Sequence, residues 1–116
     1  MTKNETINVI NKHSKSQILT MKNTHFANIN NKKDVWWFTI PLTKFDNDLY
    51  LLLNKVNGCI CLKISANTFE EISNVFRIKQ GKWVDFEISS NKRNYMKDVK
   101  SGGAKYDFKI HVKHEF

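Results

Sequence analysis

The residues best suited to chemistry crowd the end of this 116-residue chain: Lys92, Arg93, Lys97, Lys100, Lys105, Lys109 and Lys113, with Tyr95 and Tyr106 among them. Cations neutralise phosphates and flat side chains stack on exposed bases, so the segment holds both ingredients of a nucleic-acid-binding face. Lys32, Lys33 and Trp37 could join it from earlier in the chain. Between Lys100 and Lys105 runs Ser-Gly-Gly-Ala, the only Gly-rich stretch in a chain with 4 glycines. Small residues such as Gly102 and Gly103 let backbone N–H groups approach a phosphate that flanking lysines would hold. The spacing is not that of a Walker loop, and a helix stop followed by a connection explains the two glycines equally well.

Two catalytic readings compete with binding. Asp85, then Asp107 and Lys109, have the order of acid, acid-x-lysine by which a metal-dependent nuclease holds Mg²⁺ and sets a lysine near the attacked phosphate. Alternation, however, puts Asp107 on a wet face, where a solvated acid is the ordinary outcome. His13, His25, His111 and His114 could serve as a general base in a metal-free ribonuclease, but no spacing ties any of them to a second catalytic group. Serine and cysteine nucleophile motifs are absent. Cys59 and Cys61 would point the same way from one strand, and a disulfide between them would strain the backbone, so free thiols are expected. His111 and His114 would face opposite sides of a strand and do not complete a zinc set. No metal or other cofactor is expected. Trp36, Trp37 and Trp83 offer a third route, an interaction surface for an acidic protein partner or for self-association, against the plainer role of core packing.

Charge supports the first reading and limits it. The chain carries 19 Lys plus Arg against 11 Asp plus Glu, a net +8, which favours anionic partners. Lys, Asn and Ile are the residues AT-rich codons favour, so the distribution says more than the total. Residues 1–33 sum to +5, residues 34–91 to −1 and residues 92–116 to +4. Both ends are basic, and the binding reading depends on those ends gathering on one side of the molecule. No stretch has the apolar length of a membrane span and the first residues lack a signal-peptide core, so a cytoplasmic protein that avoids membranes is expected.

The elements that must position these groups read as one small α+β domain. Its sheet is expected to be mainly antiparallel, with about six strands and two or three short helices. Asn4 to about Ser14 suits a short amphipathic helix, which Gln17–Met21 could extend unless they form a strand; residues 30–33 read as a turn. Val35–Ile40 is a β-branched and aromatic run ending at Pro41, with Trp36, Phe38 and Ile40 on one face and Trp37 on the other. Residues 49–64 form a hairpin with Asn57-Gly58 at its tip, which would set Leu53 opposite Leu62 and Leu51 opposite Ile64. Asn67 and Glu70 resemble a capping box for a helical turn over 68–73. A second hairpin needs an odd loop, Gln80–Lys82, to align Ile78 with Val84, leaving Trp83, Asp85 and Glu87 outside. Ser90 could cap a helix over 91–100 ended by Gly102. The final segment alternates as a strand, with Phe108, Ile110, Val112 and Phe116 inward. The expected function is a non-enzymatic module that binds DNA or RNA through its basic C-terminal third.

Overall fold

In the computed structural model, which describes residues 2–14 and 18–116, eight strands form two four-stranded sheets and one α-helix, α1 (Lys3–Ser14), packs outside the first of them. The first sheet has the order β1 (Thr24–Ala27), β4 (Leu49–Lys55), β5 (Gly58–Ile64), β8 (Val112–Glu115). There β1 runs parallel to β4 and the other pairs are antiparallel. The second sheet is antiparallel throughout, in the order β2 (Ile29–Asn30), β3 (Val35–Pro41), β7 (Trp83–Ser89), β6 (Arg77–Lys79).

Alternation along the strands decides the layering. Leu49, Leu51 and Leu53 of β4, with Ile60, Leu62 and Ile64 of β5, face Trp36, Phe38 and Ile40 of β3 and Val84, Phe86 and Ile88 of β7 across the main core. The opposite face of the first sheet presents Tyr50, Leu52, Cys59 and Cys61 to Ile7 and Ile10 of α1 and to Leu19. Because β4 and β5 are covered on both faces, their sequences are almost wholly apolar, as buried strands require. Each fully buried aliphatic side chain contributes roughly 1.5–3 kcal/mol. Trp36 enters the core with its indole N–H satisfied, donating to the Asn54 carbonyl at 2.9 Å. Among the described residues no helix is long and apolar enough to cross a membrane.

The helix at the start, the strand over 35–41 and its two faces match expectation, as does the three-residue loop that pairs Ile78 with Val84. Both cysteines are free and buried. Other elements differ. The expected single sheet is two, and the short strands β1 and β2 arise in the Asn-rich stretch that carries no strand signal, raising the count from about six to eight, while the two or three helices reduce to one α-helix among the described residues. Residues 18–20 are irregular, and Gln17 lies outside the described residues.

The first hairpin closes on Lys55 and Gly58 with Val56-Asn57 as its turn, so Leu53 pairs with Ile60 and Leu51 with Leu62, two residues from the expected register. A slip of two preserves which face each side chain occupies, and so the layering is unaffected. Gly58 serves another purpose: a Cβ there would overlap the Phe116 carbonyl, which accepts a hydrogen bond from Cys59 N at 3.1 Å.

Three further expectations fail for local reasons. The capping box does not form, because Asn67 takes a left-handed φ of 59°, and the helical turn is a 3-10 turn at Ile72–Asn74 instead. The helix over 91–100 is replaced by a 3-10 turn at Lys92–Asn94, capped by Asn91. After it, Met96 turns the chain and Lys97–Val99 run alongside β7, the segment bonding to Glu87 and Ser89 beyond the reach of β6. A free sheet edge outcompetes helix propensity there. The last strand is interrupted by a 3-10 turn at Lys109–His111 that leaves Ile110 79% exposed. Tyr106 and Phe108 are held in an aromatic cluster with Phe69 and Phe76, and Tyr106 Oη meets His111 Nε2 at 2.6 Å, which turns the chain before β8.

Candidate functional site

The outer face of the second sheet carries the densest mixture of aromatic, cationic and buried acidic groups. Register places Trp37 beside Glu87, Thr39 beside Asp85 and Arg77, and Pro41 beside Trp83 and Lys79. Trp37 is 51% exposed, whereas Asp85 beneath it is 2% exposed. Asp85 Oδ1 accepts from the Trp37 indole N–H at 2.6 Å and from the Thr39 hydroxyl at 3.2 Å. Its other oxygen faces Arg77 at 3.5 Å and the Lys100 ammonium at 3.7 Å. Four donors on one carboxylate meet the requirement that a buried charge be paired and hydrogen-bonded. They also hold the indole at a fixed angle, with the Lys100 ammonium 5.7 Å from its ring centre, within cation–π range. Glu87, also buried, is paired with Lys33 at 3.3 Å.

The Gly-rich loop adjoins this face. Lys97, Lys100, Lys105, Gly102 and Gly103 line one open cavity of about 420 Å³ together with Asn94 and Ser101. Asp98 lies at its base and organises the loop. One carboxylate oxygen accepts from Glu87 N and Lys100 N, each at 3.0 Å, so the side chain supplies the acceptor that β6 is too short to offer Glu87. The other oxygen is enclosed by Gly103, where a Cβ would overlap it, and has no hydrogen-bond partner among the described residues. Burial raises the Asp98 carboxyl above the ordinary aspartate value, opposed by the two backbone N–H bonds. A Cβ at Gly102 would meet the aliphatic stem of Arg77 at 3.5 Å, so the loop lies close over β6. Met96 and Lys105, at the two ends of the segment, both hold left-handed φ of 67° and 59°. For non-glycine residues that costs about 1–3 kcal/mol each and persists only where surroundings impose it.

The structure therefore brings together Lys97, Lys100, Lys105, Gly102 and Gly103 from one end of the chain with Lys33 and Trp37 from the other part of the sheet. Lys32 lies exposed in the same turn as Lys33. Lys92 and Arg93 occupy the 3-10 turn after β7, and Tyr95 follows it, 37% exposed. Tyr106 points into the aromatic cluster. Burial raises its hydroxyl above the usual tyrosine range, and burial likewise lowers the bonded His111. Lys109 is turned to Asp107 at 3.8 Å. Lys113 lies in the helix layer, beside Ile10, Leu19 and Cys61. Lys3 and Lys12 ride on α1 in that same layer, so the two basic ends do not gather on one side. Trp83 is the aromatic group that belongs to the face and that the basic run does not indicate; its place opposite Pro41 follows from the parity of the second hairpin.

Asp85, Asp107 and Lys109 do not form one constellation: Asp85 is engaged by Trp37, Thr39, Arg77 and Lys100, while Asp107, whose backbone forms a β-bridge with Lys97, has its carboxylate beside Lys109. Among the described residues no three His, Cys, Asp or Glu side chains converge as metal ligands. Cys61 faces α1, and burial pushes its thiol up to about 12, the reverse of an activated nucleophile. No family model, curated protein or solved structure matches this chain.

Proposed function

We infer that this protein is a non-enzymatic nucleic-acid-binding module whose contact surface is the outer face of the second sheet and the adjoining lysine-lined cavity. Because the two basic ends do not gather on one side, the reading is narrower than one resting on both of them, and the observation that carries it is the convergence of Lys97, Lys100 and Lys105 on one cavity beside an exposed indole over which Lys100 is poised. The acids on this face, Asp85 and Glu87, are buried beneath their cationic partners, so what meets solvent is ammonium, guanidinium and aromatic surface. Such a surface attracts phosphates through counterion release and has little means of base readout, because lysine is a point charge without bidentate geometry. Binding would therefore be strong at low salt and weakly selective.

The test is fluorescence anisotropy of a labelled oligonucleotide across a salt series. Log affinity falls linearly with log salt, and the triple substitution of Lys97, Lys100 and Lys105 by Gln reduces the slope by about 2–3 on the basis of roughly 0.7 to 0.9 per phosphate contact. Substituting Lys12 and Lys113 in the helix layer leaves the slope unchanged. Affinity indifferent to salt, or an equal response to both sets of substitutions, overturns the reading.

A further inference from the structure

We propose that the nucleic acid this face takes is single-stranded, and that Trp37 and Trp83 are two separate stacking platforms for its bases. The inference rests on the binding reading above and deepens it. Trp37 and Trp83 are the large aromatic side chains exposed on this face, at 51% and 36%. Pro41 lies four residues along β3 from Trp37 and pairs directly with Trp83. Four residues of strand and one interstrand step separate the backbone positions of the two tryptophans by about 14 Å. That distance is about four base steps at the roughly 3.4 Å per-strand rise of stacked DNA, and fewer in an extended strand.

Between the platforms lies the row of Thr39, Asp85 and Arg77, in which one buried carboxylate meets two cations, leaving net positive charge under the path. Lys79 pairs with Trp83 and Lys33 reaches the Trp37 row, so each indole has a cation at hand for the phosphate beside its base. In a duplex the base faces are already covered by their neighbours and cannot reach an indole; in a single strand every base offers its face. The indole of Trp37 is also prevented from swinging away by its bond to Asp85 at 2.6 Å, which lowers the ordering cost of stacking.

The experiment compares labelled dT12 and U12 with a 12-base-pair duplex, on the wild-type protein and on Trp37→Ala and Trp83→Ala, with melting curves to confirm folding. The single strands are expected to bind more tightly than the duplex. Each Trp substitution should weaken single-strand binding roughly 5- to 150-fold, the range set by loss of one base–aromatic stack, while leaving the salt slope unchanged. A dinucleotide probe, whose single base step cannot span about 14 Å even when extended, should respond to one substitution at most. Equal affinity for duplex and single strands, or Trp substitutions without effect on a salt-dependent complex, overturns the stacking inference and leaves nucleic-acid binding standing. No binding of any probe overturns both. The duplex comparison uses the wild-type chain alone and does not depend on how a variant folds.

Discussion

Replacing Gly58 with alanine should loosen the end of the chain, and the size of the effect follows from the contacts around that glycine. A Cβ at position 58 would overlap the carbonyl oxygen of Phe116 and sit 2.7 Å from its carbonyl carbon. An ordinary carbon–carbon contact is about 3.5 Å or more, so the terminal backbone must retreat by about 1 Å. Phe116 is held to Cys59 by two bonds, Cys59 N to Phe116 O at 3.1 Å and Phe116 N to Cys59 O at 2.9 Å. Neither survives a retreat of that size, and each is worth about 0.5–1.5 kcal/mol. The φ of Gly58 is not positive, so alanine is permitted by the backbone and recovers about 0.4–1 kcal/mol from the unfolded state. Adding the strain of imperfect relaxation, the net loss should be about 1–3 kcal/mol. At about 4 °C per kcal/mol for a domain of this size, thermal unfolding followed by circular dichroism should show a fall of about 4–12 °C. Deleting Phe116 provides the decisive comparison, because once the carbonyl is gone the introduced methyl group has nothing to displace and the two changes should not add. A neutral Gly58→Ala variant, or losses that sum in the double variant, would refute the steric argument.

Asp98→Asn keeps an acceptor for the N–H groups of Glu87 and Lys100 while removing the buried charge. Since the folded-state carboxyl is raised, the folded wild type takes up a proton more readily than the unfolded chain and gains stability as pH falls through that raised value. The melting temperature of the variant minus that of wild type should therefore shrink toward acid pH, and parallel profiles would contradict the assignment. His25, lowered to about 4 by burial and by Lys3 and Lys44, should titrate near that value by NMR. Its share of the stability is complete above 6.5 and lost as pH falls toward 4; a midpoint near 6.5 would contradict the burial of its ring. Cys59 and Cys61, pushed up to about 11 and about 12, should resist an aromatic disulfide reagent at pH 8 and react at once in denaturant. Rapid reaction of the native protein would show that the helix layer opens readily.

Much of the architecture is legible wherever burial imposes a period. The 35–41 strand, both hairpins and the two faces of β3 and β7 follow from alternation, because a side chain on the wrong face would carry a large penalty. The hairpin register escapes it since Asn57-Gly58 resembles a turn signal, whereas Gly58 is required by the approach of Phe116 at the far end of the chain. No local rule conveys that. Strands β1 and β2 are two to four residues long, β1 held by the distant β4 and β2 by only two pairs to the neighbouring β3, so their own sequence carries little signal. The helix expected over 91–100 fails because the segment finds hydrogen-bond partners on β7, and those partners are a property of the assembled sheet. At the candidate site, the lysines and the two glycines are visible as a run. The buried carboxylates of Asp85, Glu87 and Asp98 that orient them are not, because alternation labels that face as outer and cannot foresee the loop that folds over it. Composition marks Tyr106 as a stacking group, yet its ring is spent on the aromatic cluster.

The interleaving of the two sheets bears on how the chain must be made and handled. The central layer draws β1, β4, β5 and β8 from almost the whole length of the polypeptide, and the sequence between them supplies the opposing layer. Neither a leading nor a trailing half owns a complete sheet, so fragments cut anywhere between β3 and β7 should be insoluble apart and regain structure only when mixed. During synthesis the greasy segment around Leu49–Ile64 emerges long before β7 and β8 exist to shelter it. Its exposure in that interval, rather than the balance of contacts in the finished molecule, should set the yield of folded protein.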